Sequence, residues 1–290
     1  MGNYHTSVLL QEVLDNLAIK KGEQYIDATL GGGGHTKALL EKGAIVLGID
    51  QDEQAVEYVR KSMGSDPHLT IVQGSFANLK KIALENKFDK VAGILFDLGI
   101  SSWQVDSGER GFSFLKTAPL DMRMDISLEV TAKDLVNGLH KGELIELLQR
   151  YGEEPFARRI AEKIVTERNV HPIETTTQLA EIITQCYGGR KGKIHPATRT
   201  FQSLRIAVND ELHTLQQTLL QALELLHKQG RIGVITFHSL EDRIVKQEFL
   251  DAAKQKLGKI ITKKPIVPSK KEILTNKRAR SAKLRVIEKL

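Results

Sequence analysis

The chain has 290 residues, 41% hydrophobic and 27% charged, with a formal net charge of +6. That supplies a core for one large or two ordinary domains, and without a run of about 18 apolar residues no membrane span is expected. The single cysteine, Cys186, excludes an internal disulfide and fits a reducing, cytoplasmic compartment, and the N-terminal Met1–His5 lacks the form of a signal peptide.

In chain order, residues 6–20 show apolar spacing of a leading helix. A β-prone run, Tyr25 to Leu30, drives into four glycines, Gly31 to Gly34, and a helical pattern follows over 36–42. Ala44 to Ile49 is a continuous apolar run, as in a buried parallel strand, and it ends at Asp50. A helix over 53–63, a strand over 70–73, a helix over 77–85 and an apolar strand over 91–96 complete a β-α-β-α-β-α-β alternation. That alternation specifies a parallel sheet covered on both faces. From 105 to 130 the pattern is irregular, and from 131 to 208 only helical segments follow: 131–137, 142–151, 154–168, 176–186 and 197–208. A long amphipathic helix over 211–228 leads into a fifth apolar strand, Ile232 to Phe237. A helix over 240–256 and candidate strands over 260–267 and 282–287 close the chain. The reading is an α/β domain, 1–104 and 211–290, interrupted by a helical insertion, 105–210.

Strand, glycine turn and helix start together make a nucleotide-type cofactor site, because the helix start offers free N–H groups and a positive dipole end. The turn alone leaves NAD and S-adenosylmethionine both open. The third glycine of the dinucleotide pattern fails, since Thr36 stands three residues after Gly33, and an acid, Asp27, lies inside the first strand. An acid in strand one before a glycine turn is the methyltransferase pattern. Asp50, at the end of strand two, either accepts the ribose hydroxyls or caps the helix starting near Asp52. Phe76 either packs on adenine or joins the core. Asp97 closes an apolar strand, where an acid is costly unless solvated or bonded, and is read as functional.

Charge is unevenly placed. Residues 254–290 carry thirteen Lys/Arg against two Asp/Glu, leaving the rest of the chain net acidic. Such localisation is the footprint of a polyanion partner, a solvated tail being the plainer alternative. A second basic stretch, 188–199, contains Arg190, Lys191, Lys193 and Arg199; with Arg205 these suit phosphates, and Lys277, Arg278 and Arg280 are second candidates. Arg110 and Arg123 line a site mouth, bridge the domains or form ion pairs. The histidines His5, His35, His171, His195 and His238 are scattered, so no metal is expected.

Taken together, Asp27-Ala-Thr-Leu-Gly-Gly-Gly-Gly-His35, Phe96-Asp-Leu-Gly-Ile-Ser-Ser102, Glu109-Arg-Gly-Phe-Ser-Phe114, Leu120-Asp-Met-Arg-Met-Asp125, His195-Pro-Ala-Thr-Arg-Thr-Phe-Gln202 and Phe237-His-Ser-Leu-Glu-Asp-Arg-Ile-Val245 resemble the bacterial 16S ribosomal RNA cytosine-N4 methyltransferases, the RsmH (MraW) family. Tyr4 to Leu10 and Ala279 to Arg285 match its two ends. The resemblance implies a class I S-adenosylmethionine-dependent methyltransferase, a Rossmann-like sheet with an inserted, mostly α-helical substrate-recognition domain. It carries cofactor positions onto Gly33, Gly34, His35, Asp50, Phe76, Asp97 and Gln104, with Phe76 and Asp97 around the adenine. It implies methyl transfer to the exocyclic N4 amine of a cytidine in the P-site decoding region. The implied partner is 16S rRNA, with the small ribosomal subunit as its expected setting.

The amine lone pair is conjugated with the ring, so the reaction wants hydrogen-bond acceptors near strand four and in-line positioning. The carbonyls of Leu98 and Gly99, or Ser101 and Ser102, are candidates, and Asp97 is the one catalytic candidate; no general base is assigned. Trp103 either stacks on the base or packs in an interface, and His238 either meets substrate or makes a structural hydrogen bond. The target base must be extruded or already unstacked. Competing readings are a same-fold methyltransferase acting on another RNA, DNA or protein, a non-catalytic ribosome-assembly factor, and a nicotinamide oxidoreductase. Oligomeric state is left open, a homodimer included.

Overall fold

The structure, a computed structural model, describes residues 7–100, 110–189, 192 and 194–290. Contacts divide the chain into two units, one of residues 1–99 and 212–290 and one of residues 100–211.

The first unit is built on a seven-stranded sheet of order β3-β2-β1-β4-β5-β7-β6. Its strands are β1 (Gln24–Asp27), β2 (Ile45–Asp50), β3 (Leu69–Gln73), β4 (Val91–Asp97), β5 (Leu226–Thr236), β6 (Gly258–Ile260) and β7 (Lys283–Lys289). Strands β1 to β5 pair in parallel, and β7 enters antiparallel between β5 and β6. The helices are α1 (Leu10–Leu17), α2 (Gly34–Glu41), α3 (Glu53–Met63) and α4 (Leu79–Glu85). This is the class I methyltransferase fold.

Why the strands read as unbroken apolar runs is visible in β4. Ile94 and Phe96 pack into one core cluster, and Leu95, pointing the other way, joins another with α1 residues Val13 and Leu17. Both faces are covered, so no polar alternation is needed. Register then decides the site. Asp27 ends β1, which sits between β2 and β4, so the terminal aspartates Asp27, Asp50 and Asp97 share one edge of three adjacent strands.

The second unit holds α5 (Ala132–Gly138), α6 (Lys141–Gly152), α7 (Ala157–Arg168), α8 (Thr176–Tyr187) and α9 (Ala197–Asn209) around one apolar cluster that includes Leu144, Leu148, Ile160, Ile164, Ile183 and Leu204. Among the described residues it forms no named strand, only an isolated bridge between Pro119 and Thr175. Among its described helices, α5 and α8 start at Thr131 and Thr175, whose hydroxyls accept the N–H three residues on while Asp134 and Gln178 reach back.

Several boundaries differ from the sequence expectation. α10 (Glu211–Leu225) stops three residues early, because β5 begins at Leu226 and bulges against β4 between Val91 and Gly93. Gln229, at φ 66°, marks that bulge. α11 (Ser239–Lys254) follows β5, and α12 (Lys270–Thr275) with a 3₁₀ turn (Lys277–Ser281) fills the expected basic loop. β6 covers only Gly258–Ile260; Ile266 instead makes a single bridge to Leu284. No helix of the described residues is long and apolar enough to cross a membrane.

Candidate active site

The glycine turn is tight for packing reasons as well as for ligand approach. Gly33 caps α2 at φ 76°, and a Cβ there would overlap the Met63 methyl and press Val59, both on α3. A Cβ on Gly34 would overlap the Ser7 hydroxyl. Gly31, at φ 50°, faces almost open space. The first two glycines thus wedge the start of α2 between α3 and the segment before α1, and the third keeps backbone accessible.

Three carboxylates hold or adjoin this turn. Asp27, 1% exposed, accepts the Thr36 hydroxyl at 2.7 Å and the Thr29 N–H at 3.3 Å, tying β1 to the first turn of α2. Asp50 accepts the Gly31 N–H at 2.7 Å and the Asp52 N–H at 2.9 Å. It therefore clamps the turn, while the cap of α3 is Asp52, whose side chain accepts from Gln54 N–H at 3.1 Å. Burial pushes both Asp27 and Asp50 up to about 6.

Asp97 is the outlier. Its N–H donates to the Thr29 hydroxyl at 2.6 Å, which fixes the strand end. Its Oδ2 lies 3.5 Å from His35 Nδ1, and its buried Oδ1 has no hydrogen-bond partner. Burial, then the neighbouring carboxylates Asp27 and Glu241, drive its carboxyl well above the ordinary range. His35 is held from its other side, where Nε2 meets the Val8 carbonyl at 3.1 Å, and burial lowers its pKa to about 4. Asp97 and His35 are therefore not an ion pair at neutral pH.

Around these, Phe76 is half-buried with its ring edge-on to Phe96 at 5.9 Å. His238 caps α11: its Nδ1 accepts the Glu241 N–H at 3.3 Å, while Glu241 accepts the N–H groups of Phe237 and His238. The His238 Nε2 lies 3.1 Å from Glu241 Oε1 without hydrogen-bond alignment. The structural alternative for His238 is thus realised.

The structure brings Gly33, Gly34, His35, Asp50 and Asp97 together at one sheet edge. It groups Asp97 with His35 and Asp27 at the turn, whereas Phe76 contacts Phe96. Gln104, Trp103, Ser101 and Ser102, and the basic residues Arg190, Lys191 and Lys193, lie outside the described residues. Among the other basic candidates, Arg199 gives one N–H to the Glu153 carbonyl at 2.8 Å, and Lys277 and Arg280 are exposed. The Arg205 guanidinium donates twice to Glu211, at 2.8 and 2.9 Å, with 13% of the side chain exposed, so it is held in an ion pair of the fold. Arg123 is likewise spent on Asp121 and on the carbonyls of Ile126 and Leu128, and Arg110 donates to the Met124 carbonyl.

Sequence reasoning left Thr29, Thr36 and Glu241 off the site. Glu241 had a signal, an acid three residues after a capping side chain. Thr29 and Thr36 had none beyond their place beside the glycines, and the Val8 carbonyl, a backbone atom, has none at all.

Among the described residues no Lys or Arg pairs with Asp27, Asp50 or Asp97. The donor chemistry is that of a cation acceptor next to a backbone turn. A ligand with an ammonium group and a diol fits it: Asp97 offers an unpartnered oxygen, and Asp50 retains a second lone pair on each oxygen.

The sequence model of the MraW methylase family matches residues 2–290. The chain belongs to the MraW methylase family. It is an S-adenosylmethionine-dependent methyltransferase. Relatives of this methylase named "Ribosomal RNA small subunit methyltransferase H" include one from Brevibacillus brevis, 44% identical over 99% of this chain and 98% of the relative. One from Clostridium botulinum is 45% identical over 99% of both chains, and one from Dehalococcoides mccartyi is 48% identical over 99% of this chain and 86% of the relative.

Proposed function

We propose that this methylase transfers a methyl group to the exocyclic N4 amine of a cytidine in the P-site decoding region of 16S rRNA, in the small ribosomal subunit. The observation that carries the chemistry is Asp97, half-buried at the end of β4 beside the glycine turn, whose buried Oδ1 has no partner. The names of relatives that align along 99% of the chain support the RNA substrate.

S-adenosylmethionine, when bound, supplies an electrophilic methyl group on a sulfonium. The chain's residues do the rest. Backbone at Gly33 and Gly34 holds the methionine end; Asp97, which the resemblance places around the adenine, instead offers its unpartnered oxygen to the ammonium, with His35 beside it. Asp50, already locked by two backbone N–H bonds, is pre-set to accept ribose hydroxyls, and Phe76 is assigned to the adenine. Gln104 completes the proposed set.

The target amine needs acceptors that favour a pyramidal nitrogen. The carbonyls of Leu98 and Gly99 follow β4 directly, and Gly99 at φ 103° turns the chain there. Residues 105–210 form the proposed substrate-recognition domain. Phosphate contacts are proposed for Arg190, Lys191, Lys193 and Arg199, with Lys277, Arg278 and Arg280 from the C-terminal segment.

The test is to incubate the protein with 30S subunits and methyl-labelled S-adenosylmethionine and map the product by mass spectrometry. N4-methylcytidine in the decoding region is expected. A mark on another base, or on ribosomal protein alone, would refute the substrate.

A further inference from the structure

We propose that Glu272, near the far end of the chain, is a positioning residue of the cofactor site: it pins the Val8–Leu9 peptide, whose carbonyl fixes the ring of His35. The inference rests on the assignment of His35 to the cofactor.

Ser269-Lys-Lys-Glu272 has the form of a capping box, in which the glutamate would return to the N–H of the serine. The first half of the box is made, since the Ser269 hydroxyl accepts the Glu272 N–H at 3.1 Å and starts α12. The second half is diverted. Glu272 Oε1 accepts the Leu9 N–H at 2.8 Å, across 263 positions of sequence.

Leu9 needs that acceptor. It is fully buried just before α1 and holds a left-handed conformation, φ 53° and ψ 34°, which a leucine rarely adopts. A buried N–H left without a partner is costly, and a carboxylate beside the start of α1 suits the positive end of that helix. Around the bond, Ala279, Ala282 and Leu284 of the C-terminal segment pack with Val8 and Leu9 in one apolar cluster.

The other end of the same peptide faces the glycine turn. Leu9 N–H and Val8 C=O belong to one peptide unit, planar and stiff about its C–N bond. His35 Nε2 lies 3.1 Å from that carbonyl. A carbonyl can only accept, so Nε2 carries the ring hydrogen, and Nδ1 is left as a bare acceptor on the side of Asp97. Ser7, next in the chain, puts its hydroxyl where a Cβ on Gly34 would stand. Residues 7–9 therefore back the first turn of α2. Tilting the peptide to relieve Leu9 would break both of its bonds at once. A carboxylate on the N–H also polarises the amide and strengthens its carbonyl as an acceptor. Without Glu272 the peptide is free to turn, and His35 loses its orientation and its fixed tautomer.

NMR of the histidine nitrogens and titration calorimetry with S-adenosylmethionine, both on the full chain, test this. Wild-type His35 should show the Nε2–H tautomer. Glu272→Ala should mix the tautomers and weaken S-adenosylmethionine binding about fivefold or more, the low end of coupling between linked sites. Glu272→Gln keeps an acceptor for Leu9 and should restore the tautomer and most of the affinity. In methylation assays the loss should fall on KM for S-adenosylmethionine rather than on kcat, because it acts on binding. In a double-mutant cycle Glu272→Ala should add nothing to His35→Asn, since both act through the Val8 carbonyl. If Glu272→Ala does not fold, Glu272→Asp takes its place, keeping the charge but falling a methylene short of Leu9. Additive losses overturn the proposal, as does a wild-type histidine spectrum in the shortened variant. Affinity lost in His35→Asn but kept in Glu272→Ala overturns it while sparing the cofactor assignment. Affinity unchanged in His35→Asn strikes the assignment of His35 itself.

Discussion

The two units treat buried polar groups in opposite ways. In the helical unit Glu154, 3% exposed, accepts the Tyr187 hydroxyl at 2.8 and 2.9 Å and the Phe156 N–H at 3.0 Å. Arg168 donates to the carbonyls of Val136 and Leu139, and Thr176 both donates and accepts across its loop. Among its described residues the one buried side-chain atom left without a partner is a neutral hydroxyl, Thr200. At the sheet edge three carboxylates meet with no Lys or Arg paired to them among the described residues, and Asp97 Oδ1 has no hydrogen-bond partner. Burying a polar atom without a partner costs about 1–3 kcal/mol. The helical unit spends its polar groups on its own architecture, and the sheet edge keeps them for a ligand.

The largest expected effect comes from Asp97→Asn. Methylation of 30S subunits should fall by about 10²–10³-fold, the usual loss when one buried electrostatic contact to a reacting group is removed. Stability should move the other way. Wild-type Asp97 has a raised carboxyl pKa when folded, so the native state binds the extra proton and loses stability as pH rises through that pKa. Asparagine removes this penalty. The stability of the variant relative to wild type should therefore climb as pH rises above about 4, by at most about 1.4 kcal/mol per pH unit. A variant less stable than wild type at pH 8 would break the contrast.

Glu154→Ala is the counterpart in the helical unit. It strands the Tyr187 hydroxyl and the Phe156 N–H, at an expected cost of about 1–3 kcal/mol in urea unfolding. S-adenosylmethionine affinity should not change. Loss of both together would show that Glu154 is not purely architectural.

A pH series separates the aspartates from the histidine. Asp27 and Asp50 sit near 6 in the fold, above their unfolded values, so each lowers stability as pH rises from about 4 to 6. His35, lowered to about 4, works against them over the same window, because the unfolded ring binds the proton first. His35→Asn removes that opposing contribution. Its stability should fall more steeply than wild type from pH 4 to 6, as read by thermal melts.

How much of this was legible beforehand follows from which atoms carry information. The β-α alternation and the terminal aspartates Asp27, Asp50 and Asp97 are written in side chains, and the parallel register puts them on one edge. What the sequence could not show was carried by backbone atoms and distant partners. The Val8 carbonyl fixes the His35 tautomer from 27 positions away. Nothing local to Arg205 announces that two of its guanidinium N–H groups go to Glu211, six residues on. The bulge that starts β5 early depends on pairing with Val91, which no local pattern in 211–228 reveals.

The smallest expected effect tests the free cations. Lys277 and Arg280 are exposed on the 3₁₀ turn after α12, in contrast to Lys283 and Arg285, which are tied to Asp242. If the exposed pair meets RNA phosphates, replacing both by alanine should lower affinity a few-fold at low salt. It should also flatten the slope of log affinity against log salt by about 1.4, roughly 0.7 per single-strand phosphate contact. Cofactor affinity should stay at its wild-type value, because neither residue contacts the carboxylate edge. Adding Arg190, Lys191 and Lys193 to the substitution should flatten the slope further if the two basic segments grip separate phosphates. An unchanged slope in the double variant would mean that its charges are solvated, and would leave RNA binding to the basic stretch at 188–199.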